Sequence, residues 1–495
     1  MARLHSHRPE ATSSSPPILP HCFDDQFSPH GSAQYTAGEW QELVGPKPYR
    51  IPKSFWPKIG SKVNGDLPQH YGKCDETFPD RKLYAWRPRH CELLPFDPPA
   101  VCKLLSGKQI VVVGDSTVFQ AFLSLVHLLR GEFGKDVKHG YVTADLTATA
   151  CDDMTRLVFI RSDLLLWTHS VSDYHAVQRC DGFTILHPFV MRASRDADLV
   201  LLGVGHHHPR VLMLAEKWST TGGSEAARKA RVGFFGRNLN HTLASLLARR
   251  ASWGHHDPAS VVLLGTSTPV RGCARFSRPL GELEAIEIAA GGGVSPGNVT
   301  TNELRWQQYP LFNQIARGLA VALRTSFIDV AGPSALRPDG AMGGYWPKGN
   351  ARANPRGNSQ LDCVHYCLPG VVDTWNVLLY NMLASPRLQR ALGGGGRGSA
   401  VPRAGAAVTT RANSQRSAGR RFFAANSSEW LREKGYAERF ERCTFGGHGV
   451  QRCEARMQQQ PWWPFTCIEP RDRAALRGPR YSELYVPWHP PESFD

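Results

Sequence analysis

The sequence predicts an α/β sandwich of the doubly wound kind, with a mostly parallel sheet, over residues 107–388. Short, continuously apolar runs recur along this region, which is typical of strands buried on both faces. Segments whose apolar residues recur at spacings of three and four lie between these runs, as expected for helices that cover a sheet. Strands that alternate with helices in this way favour a parallel sheet with its functional site at the carboxyl ends of the strands.

The first predicted strand is Lys108–Val113, the β-branched run KQIVVV, and it ends at Gly114. A helix is predicted to follow, because apolar residues recur at helical spacing at Phe119, Phe122, Leu123, Val126 and Leu129. The other predicted strands are Leu157–Ile160, Leu164–Trp167, Ala197–Leu202, Val261–Leu264 and Ser326–Val330. The other predicted helices cover 236–250, 309–323 and 371–384.

The remainder of the chain differs from this domain in composition. Residues 1–45 are rich in Ser, Pro and His without periodicity, and we expect them to be disordered. Residues 46–106 are dense in proline, aromatic residues and cysteine, which indicates an irregular collar held by disulfides. Residues 389–421 have the composition of a Gly/Arg-rich linker, and 422–495 are expected to form a small cysteine-containing appendage with no assigned role.

The formal net charge of +15 at pH 7 suggests a polyanion partner at first sight. However, eight arginines and no acidic residue lie from Arg387 to Arg421, and all of these arginines except Arg387 are inside the predicted linker. The sequence has no zinc-finger, RRM or KH pattern, so we expect a solvated basic linker and no nucleic-acid partner. The alternative is that this segment contacts an acidic glycan or a membrane surface.

Cysteine usage and sequons favour an oxidising, secretory compartment. The chain has twelve cysteines without CxxC pairs, and N-glycosylation sequons begin at Asn240, Asn298 and Asn426. The sequence has no run of 18 apolar residues, and its first residues have no apolar signal region. Membrane attachment is therefore expected only through an N-terminal anchor that this sequence does not show.

The sharpest local pattern is the turn after the first predicted strand, VVVGDST at 111–117. Gly114, Asp115 and Ser116 lie between a buried strand and a helix, so the Ser116 Oγ is expected beside a helix N-terminus. Backbone N–H groups at such a terminus can stabilise an oxyanion. A serine needs a base to become a nucleophile, and Asp115 or Ser116 could instead be no more than a helix N-cap.

A second pattern, LDCVHYCLPG at 361–370, places Asp362 three residues before His365. In a loop, this carboxylate can reach Nδ1–H of the histidine, which leaves Nε2 free to take a hydroxyl proton. With Ser116, these residues fit a nucleophile, a base and an orienting acid. Cys363 and Cys367 flank the histidine and could suggest zinc. We expect disulfides instead, since a zinc-bound His365 could not act as a base.

These residues resemble the plant trichome-birefringence-like family, in the PC-esterase group of the SGNH/GDSL hydrolase superfamily. The family's Gly-Asp-Ser block resembles 114–116, and its block Asp-Cys-x-His-Trp-Cys-Leu-Pro-Gly-x-x-Asp-x-Trp-Asn matches 362–376, with Tyr366 in place of Trp. Shorter similarities lie at 86–97, 197–206 and 336–340, so the resemblance covers about 70 to 385. It implies an SGNH-like three-layer sandwich with a mostly parallel sheet.

The resemblance also implies a function, polysaccharide O-acetyltransfer in the Golgi or secretory lumen. Ser116 would be the nucleophile, His365 the base and Asp362 its orienting acid. The Ser116 and Gly205 backbone N–H groups would stabilise the oxyanion, and Gly114, Asp115 and His206 would line the site. The acceptor would be a polysaccharide and the co-substrate an acetyl donor, with no bound cofactor or metal.

Two rival functions remain open. If water replaces the sugar, the same residues make a carbohydrate acetylesterase. The second rival function is that of a catalytically inactive glycan-binding protein. It stays open because the family usually has arginine three residues after the serine, where this chain has Phe119. A second family arginine is replaced near Thr266 and Thr268. The run at 206–208, three histidines, is not expected to bind metal, because consecutive residues of an extended segment point to opposite faces.

Overall fold

The computed structural model describes most of residues 71–393, together with 19–23 and 31–51. The gaps after residue 71 are 73, 78–79, 135–137, 140–143, 166–187, 204, 209–224, 271, 290–305, 307, 345–361 and 394–495. The predicted 422–495 appendage, most of the predicted linker, and the sequons at Asn298 and Asn426 lie outside the described residues. The boundaries of those segments stay predictions.

One large sheet organises the described chain. The strands are β1 (Gly38–Glu42), β2 (Tyr84–Pro88), β3 (Gln109–Gly114), β4 (Glu132–Phe133), β5 (Lys138–His139), β6 (Ala144–Ala150), β7 (Thr155–Arg161), β8 (Leu199–Gly203), β9 (Val261–Leu264) and β10 (Ser326–Ile328). The large sheet has the order β10-β9-β8-β3-β7-β6-β4, with β5 also paired to β6. The strands from β10 to β7 are parallel and β6 runs antiparallel to β7, so the prediction of a mostly parallel sheet is confirmed.

Helices cover both faces of this sheet. They are α1 (Gly31–Thr36), α2 (Cys74–Thr77), α3 (Pro98–Leu105), α4 (Ser116–Leu128), α5 (Pro188–Asp196), α6 (Glu225–Ser252), α7 (Glu282–Ala289), α8 (Tyr309–Leu323), α9 (Ala331–Ala335), α10 (Val371–Ala384) and α11 (Pro386–Gly393). Along β3, Ile110 and Val112 pack in one core with α4 and α10, while Val111 and Val113 pack in the other with α6 and α8. This alternation of side chains produces the predicted three layers.

The structure corrects two sequence predictions and adds one strand that was not predicted. After β7 the chain leaves the sheet, so Leu164 and Leu165 form no strand, and the rest of predicted strand 164–167 lies outside the described residues. The antiparallel β6 was not predicted, because its sequence ADLTATA has few large apolar residues. The described part of 1–45 is ordered, because β1 pairs with β2 and Trp40 packs against Trp86.

Disulfides tie the N-terminal region to the sandwich. Four bridges lie within the part of the chain that the structure describes: Cys22–Cys91, Cys74–Cys367, Cys102–Cys151 and Cys273–Cys363. The expectation that Cys363 and Cys367 form disulfides is therefore confirmed, and the two bridges hold the segment around His365 from both sides. Among the described residues, no helix combines the length and hydropathy needed to cross a membrane. The sequon residue Asn240 lies within α6 and is 2% exposed, so the folded chain does not present it to solvent.

Acid is expected to destabilise the fold through a buried histidine. His208 is fully buried against Phe235, its Nε2 lies 3.0 Å from Asn238 Nδ2, and burial lowers its pKa from 6.5 to about 3. Between these pH values the unfolded chain takes up a proton that the folded chain excludes, so stability falls as the pH falls. In His208→Gln we expect the free energy of unfolding to fall less steeply between pH 6 and 4 than in the wild type, by about 1.4 kcal/mol per pH unit. Urea unfolding of the disulfide-bonded proteins at several pH values measures this free energy. If it changes with pH equally in the variant and the wild type, the prediction is wrong.

Candidate active site

The site begins where β3 ends, at the carboxyl edge of the sheet. Gly114, the last residue of β3, pairs in register with Gly203 of β8 and Arg161 of β7. A Cβ at Gly114 would lie 2.2 Å from the Gly203 carbonyl oxygen and 2.6 Å from the Val118 side chain. Only glycine therefore allows α4 to start this close to the neighbouring strand.

Asp115 caps α4 and sets the direction of the residue that follows. Its Oδ1 accepts hydrogen bonds from Thr117 N at 3.0 Å, Thr117 Oγ1 at 2.7 Å and Val118 N at 3.4 Å. The N-cap role that the sequence left open thus belongs to Asp115. Ser116 is the first residue of α4 and only 6% exposed, at the positive end of the helix dipole.

The loop before α10 meets Ser116 from a position 249 residues along the chain. His365 Nε2 lies 2.7 Å from Ser116 Oγ, and His365 Nδ1 lies 2.8 Å from Asp362 Oδ2. The other Asp362 oxygen accepts from the backbone N–H groups of Val364 and His365, each at 3.1 Å. The two segments singled out in the sequence therefore form one connected hydrogen-bonded set.

The charge of Asp362 determines which histidine nitrogen carries the proton. Burial acts to raise the pKa of Asp362, but the attraction of His365, its hydrogen bond and the two backbone N–H groups hold that pKa below its ordinary value. An ionised carboxylate only accepts hydrogen bonds, so Nδ1 donates to Asp362. Nε2 is then free to accept the hydrogen of the Ser116 hydroxyl, the arrangement that acyl transfer through serine needs.

Gly205 and His206 follow β8 at the same edge of the sheet. A Cβ at Gly205 would lie 2.0 Å from Thr266 Oγ1, so glycine is required for this loop to pack on the end of β9. His206 Nδ1 lies 3.2 Å from Asp115 Oδ2, and His206 Nε2 lies 3.1 Å from the Ser267 carbonyl oxygen. His206 therefore contacts Asp115, the N-cap of α4, rather than the Ser116 hydroxyl.

The same histidine affects the ionisation of Asp115. Burial acts to raise the pKa of Asp115, but the charges of His206 and His207 and the hydrogen bonds of His206 and Thr117 hold it well below its ordinary value. Asp115, which caps α4 directly before Ser116, is therefore a carboxylate at neutral pH, and charge assistance strengthens its bonds to α4.

Sequence reasoning missed several residues around the set. Gln120, one turn after Ser116, binds the backbone of Tyr366, and the Tyr71 ring lies 5.8 Å from the His365 ring. The only sequence signal for Gln120 is a polar residue on the apolar helix that follows the serine. Phe119, which the sequence analysis singled out, is fully buried with its ring centroid 4.9 Å from that of Phe159.

Comparison with known proteins identifies the family. Residues 93–382 match the model of the PC-Esterase family, described as the GDSL/SGNH-like acyl-esterase family found in Pmr5 and Cas1p. The chain belongs to this family. The match contains both segments of the site, and the chain is accordingly an enzyme of acyl-ester chemistry, an acyltransferase or an ester hydrolase.

Plant proteins are similar to this PC-Esterase chain at low identity. Xyloglucan O-acetyltransferase 1 of Arabidopsis thaliana is 23% identical over 373 residues, 72% of this chain and 82% of its own. Probable xylan O-acetyltransferase 9 of Oryza sativa subsp. japonica is 26% identical over 343 residues, 61% of this chain and 68% of its own. Protein trichome birefringence-like 4 of Arabidopsis thaliana is 24% identical over 323 residues, 61% of this chain and 65% of its own. The resemblance noted in the sequence is therefore confirmed.

Proposed function

We propose that this protein is a polysaccharide O-acetyltransferase that works by double displacement through an acyl-Ser116 intermediate. The observation that carries the proposal is the 2.7 Å contact between Ser116 Oγ and His365 Nε2, with Asp362 2.8 Å from Nδ1. Relatives named xyloglucan and xylan O-acetyltransferases support a cell-wall polysaccharide as the acceptor. The proposed place of action is the Golgi or secretory lumen.

In the first step, Ser116 Oγ attacks the acyl carbonyl carbon of the acetyl donor, and its proton passes to His365 Nε2. The carbonyl oxygen becomes an oxyanion, which the backbone N–H groups of Ser116 and Gly205 are proposed to stabilise. When the oxyanion collapses, the bond to the donor's leaving group breaks. The leaving group takes the proton from Nε2, and the acetyl ester of Ser116 remains.

In the second step, a sugar hydroxyl replaces the leaving group. His365 Nε2 removes its proton, and the sugar oxygen attacks the ester carbon. The bond to Ser116 Oγ breaks, and the serine regains its proton from His365. Asp362 stabilises the imidazolium in both steps. The proposal needs no resident metal or cofactor. Gly114, Asp115 and His206 position the turn between β3 and α4, where Ser116 begins the helix.

A carbohydrate acetylesterase is the second candidate, favoured by the description of the family as acyl-esterases. Water then takes the place of the sugar in the second step, with the same proton transfers. The choice depends on what occupies the acceptor position, because Ser116, His365 and Asp362 act identically in both reactions.

An assay with the purified chain separates these functions. We expect incubation with p-nitrophenyl acetate and xylan or xyloglucan oligosaccharides to release p-nitrophenol and yield acetylated oligosaccharide by mass spectrometry. Acetate release alone, at a rate that the oligosaccharide does not change, would establish the esterase instead. No p-nitrophenol release and no labelling of Ser116 by a fluorophosphonate, combined with oligosaccharide binding, would establish an inactive glycan-binding protein.

A further inference from the structure

Three buried amide side chains among the described residues share one hydrogen-bonding arrangement. In each, the side-chain oxygen accepts from the backbone N–H of one residue while the side-chain nitrogen donates to the carbonyl oxygen of that same residue. The three pairs are Gln120 with Tyr366, Asn313 with Thr266, and Asn381 with Leu94. Such a pair of bonds holds a peptide segment at a defined distance and orientation, as a neighbouring strand would.

The first pair connects the two halves of the active site. Gln120 lies four residues after Ser116 in α4, so the two are one helical turn apart, with a rise of about 6 Å between them. Tyr366 directly follows His365, and its N–H lies 3.1 Å from Gln120 Oε1. Gln120 is fully buried, so water does not compete for either bond.

Other bonds hold His365 to its own side of the site. Its carbonyl oxygen accepts from Met342 N at 2.9 Å, and its N–H is bound by Asp362. Neither bond involves α4. Asp373 and Asn376 do reach α4, through the Ser124 hydroxyl and the Ala121 carbonyl oxygen, but from positions eight and eleven residues after His365. Gln120 therefore connects α4, which carries Ser116, to Tyr366, the residue next to His365.

We propose that Gln120 is a positioning residue that keeps His365 Nε2 within hydrogen-bond distance of Ser116 Oγ, a role that rests on the proposed function. A helix is rigid over one turn, so the position of Gln120 relative to Ser116 is fixed. Its two bonds fix the Tyr366 peptide, and with it the backbone from which the His365 side chain extends. Without them, the distance between Ser116 and His365 depends on their direct contact and on bonds to α4 from residues farther along the chain.

The test compares Gln120→Leu with Asn381→Leu. Both changes replace an amide by an apolar side chain of similar size, and both leave the N–H and carbonyl oxygen of one residue without their side-chain partner. We expect Gln120→Leu to lower kcat for p-nitrophenyl acetate by about 10- to 100-fold with KM unchanged, since small displacements of catalytic groups have effects of this size. Fluorophosphonate labelling of Ser116 should slow by the same factor. Asn381→Leu, which also loses the contacts of Asn381 with His21 and Val377, should lower Tm at least as much and leave kcat and labelling within about twofold of the wild type.

A second variant separates the two bonds. Gln120→Glu keeps an acceptor for the Tyr366 N–H, and its protonated carboxyl can still donate to the Tyr366 carbonyl oxygen whereas its carboxylate cannot, so its kcat relative to the wild type should fall toward that of Gln120→Leu as the pH rises. Equal kcat and labelling rates for Gln120→Leu and Asn381→Leu would overturn the proposal. So would the loss of folding by both Gln120 variants while Asn381→Leu folds, because Gln120 would then serve stability alone. A wild-type chain that neither turns over nor is labelled at Ser116 would instead refute the proposed function itself.

Discussion

Replacement of Ser116 by alanine is expected to lower the rate of acetyl transfer by about 10³-fold or more. The variant lacks the oxygen that forms the acyl intermediate, while His365 and Asp362 keep their own hydrogen bond. Residual activity would come from the oxyanion-stabilising N–H groups and substrate binding alone. Two measurements check this prediction: the formation of acetylated xylan or xyloglucan oligosaccharides, and the labelling of the protein by a fluorophosphonate.

Ser385→Ala is the matched control for this change. Ser385 is also a buried serine, and its hydroxyl donates to the Met382 carbonyl oxygen at the end of α10. We expect this variant to retain labelling and turnover. Unchanged turnover in Ser116→Ala would show that no acyl-Ser116 intermediate forms.

Asp362→Asn is expected to be as severe, with a loss of about 10⁴-fold in kcat at neutral pH. An asparagine oxygen can still accept from the N–H groups of Val364 and His365, so the local turn should persist. Its amide nitrogen, however, can donate to His365 Nδ1. The imidazole proton then moves to Nε2, which can no longer accept the proton of Ser116.

The control for charge loss is Asp257→Asn. Asp257 also accepts from a backbone N–H, that of Ala259 at 2.9 Å, where it caps the short 3₁₀ helix Pro258–Ser260. We expect this variant to keep wild-type kcat. A small effect of Asp362→Asn, similar to that of Asp257→Asn, would reduce the role of Asp362 to that of a turn cap.

The central layers of the fold could be predicted because their signals are local. Uninterrupted apolar runs such as VVV at 111–113 are long enough to mark a strand, and leucines at helical spacing mark α6 and α8. The antiparallel β6 could not be predicted from ADLTATA, because its stability comes from pairing with β7 and not from its own apolar residues. The order of the N-terminal segment has a similar origin, in pairing and a disulfide with distant residues.

The chemical groups of the site can be read directly from the sequence: a serine after a buried strand, and an aspartate three residues before a histidine, each within a motif of the family. Those motifs are local, since each spans only a few consecutive residues. The folded chain was needed to show that the two motifs meet, that His206 contacts Asp115, and that Gln120 connects α4 to the residue beside His365. The physical reason is that a hydrogen bond depends on distance and direction between side chains, and residues 249 positions apart acquire these only when the sheet, helices and disulfides bring them together.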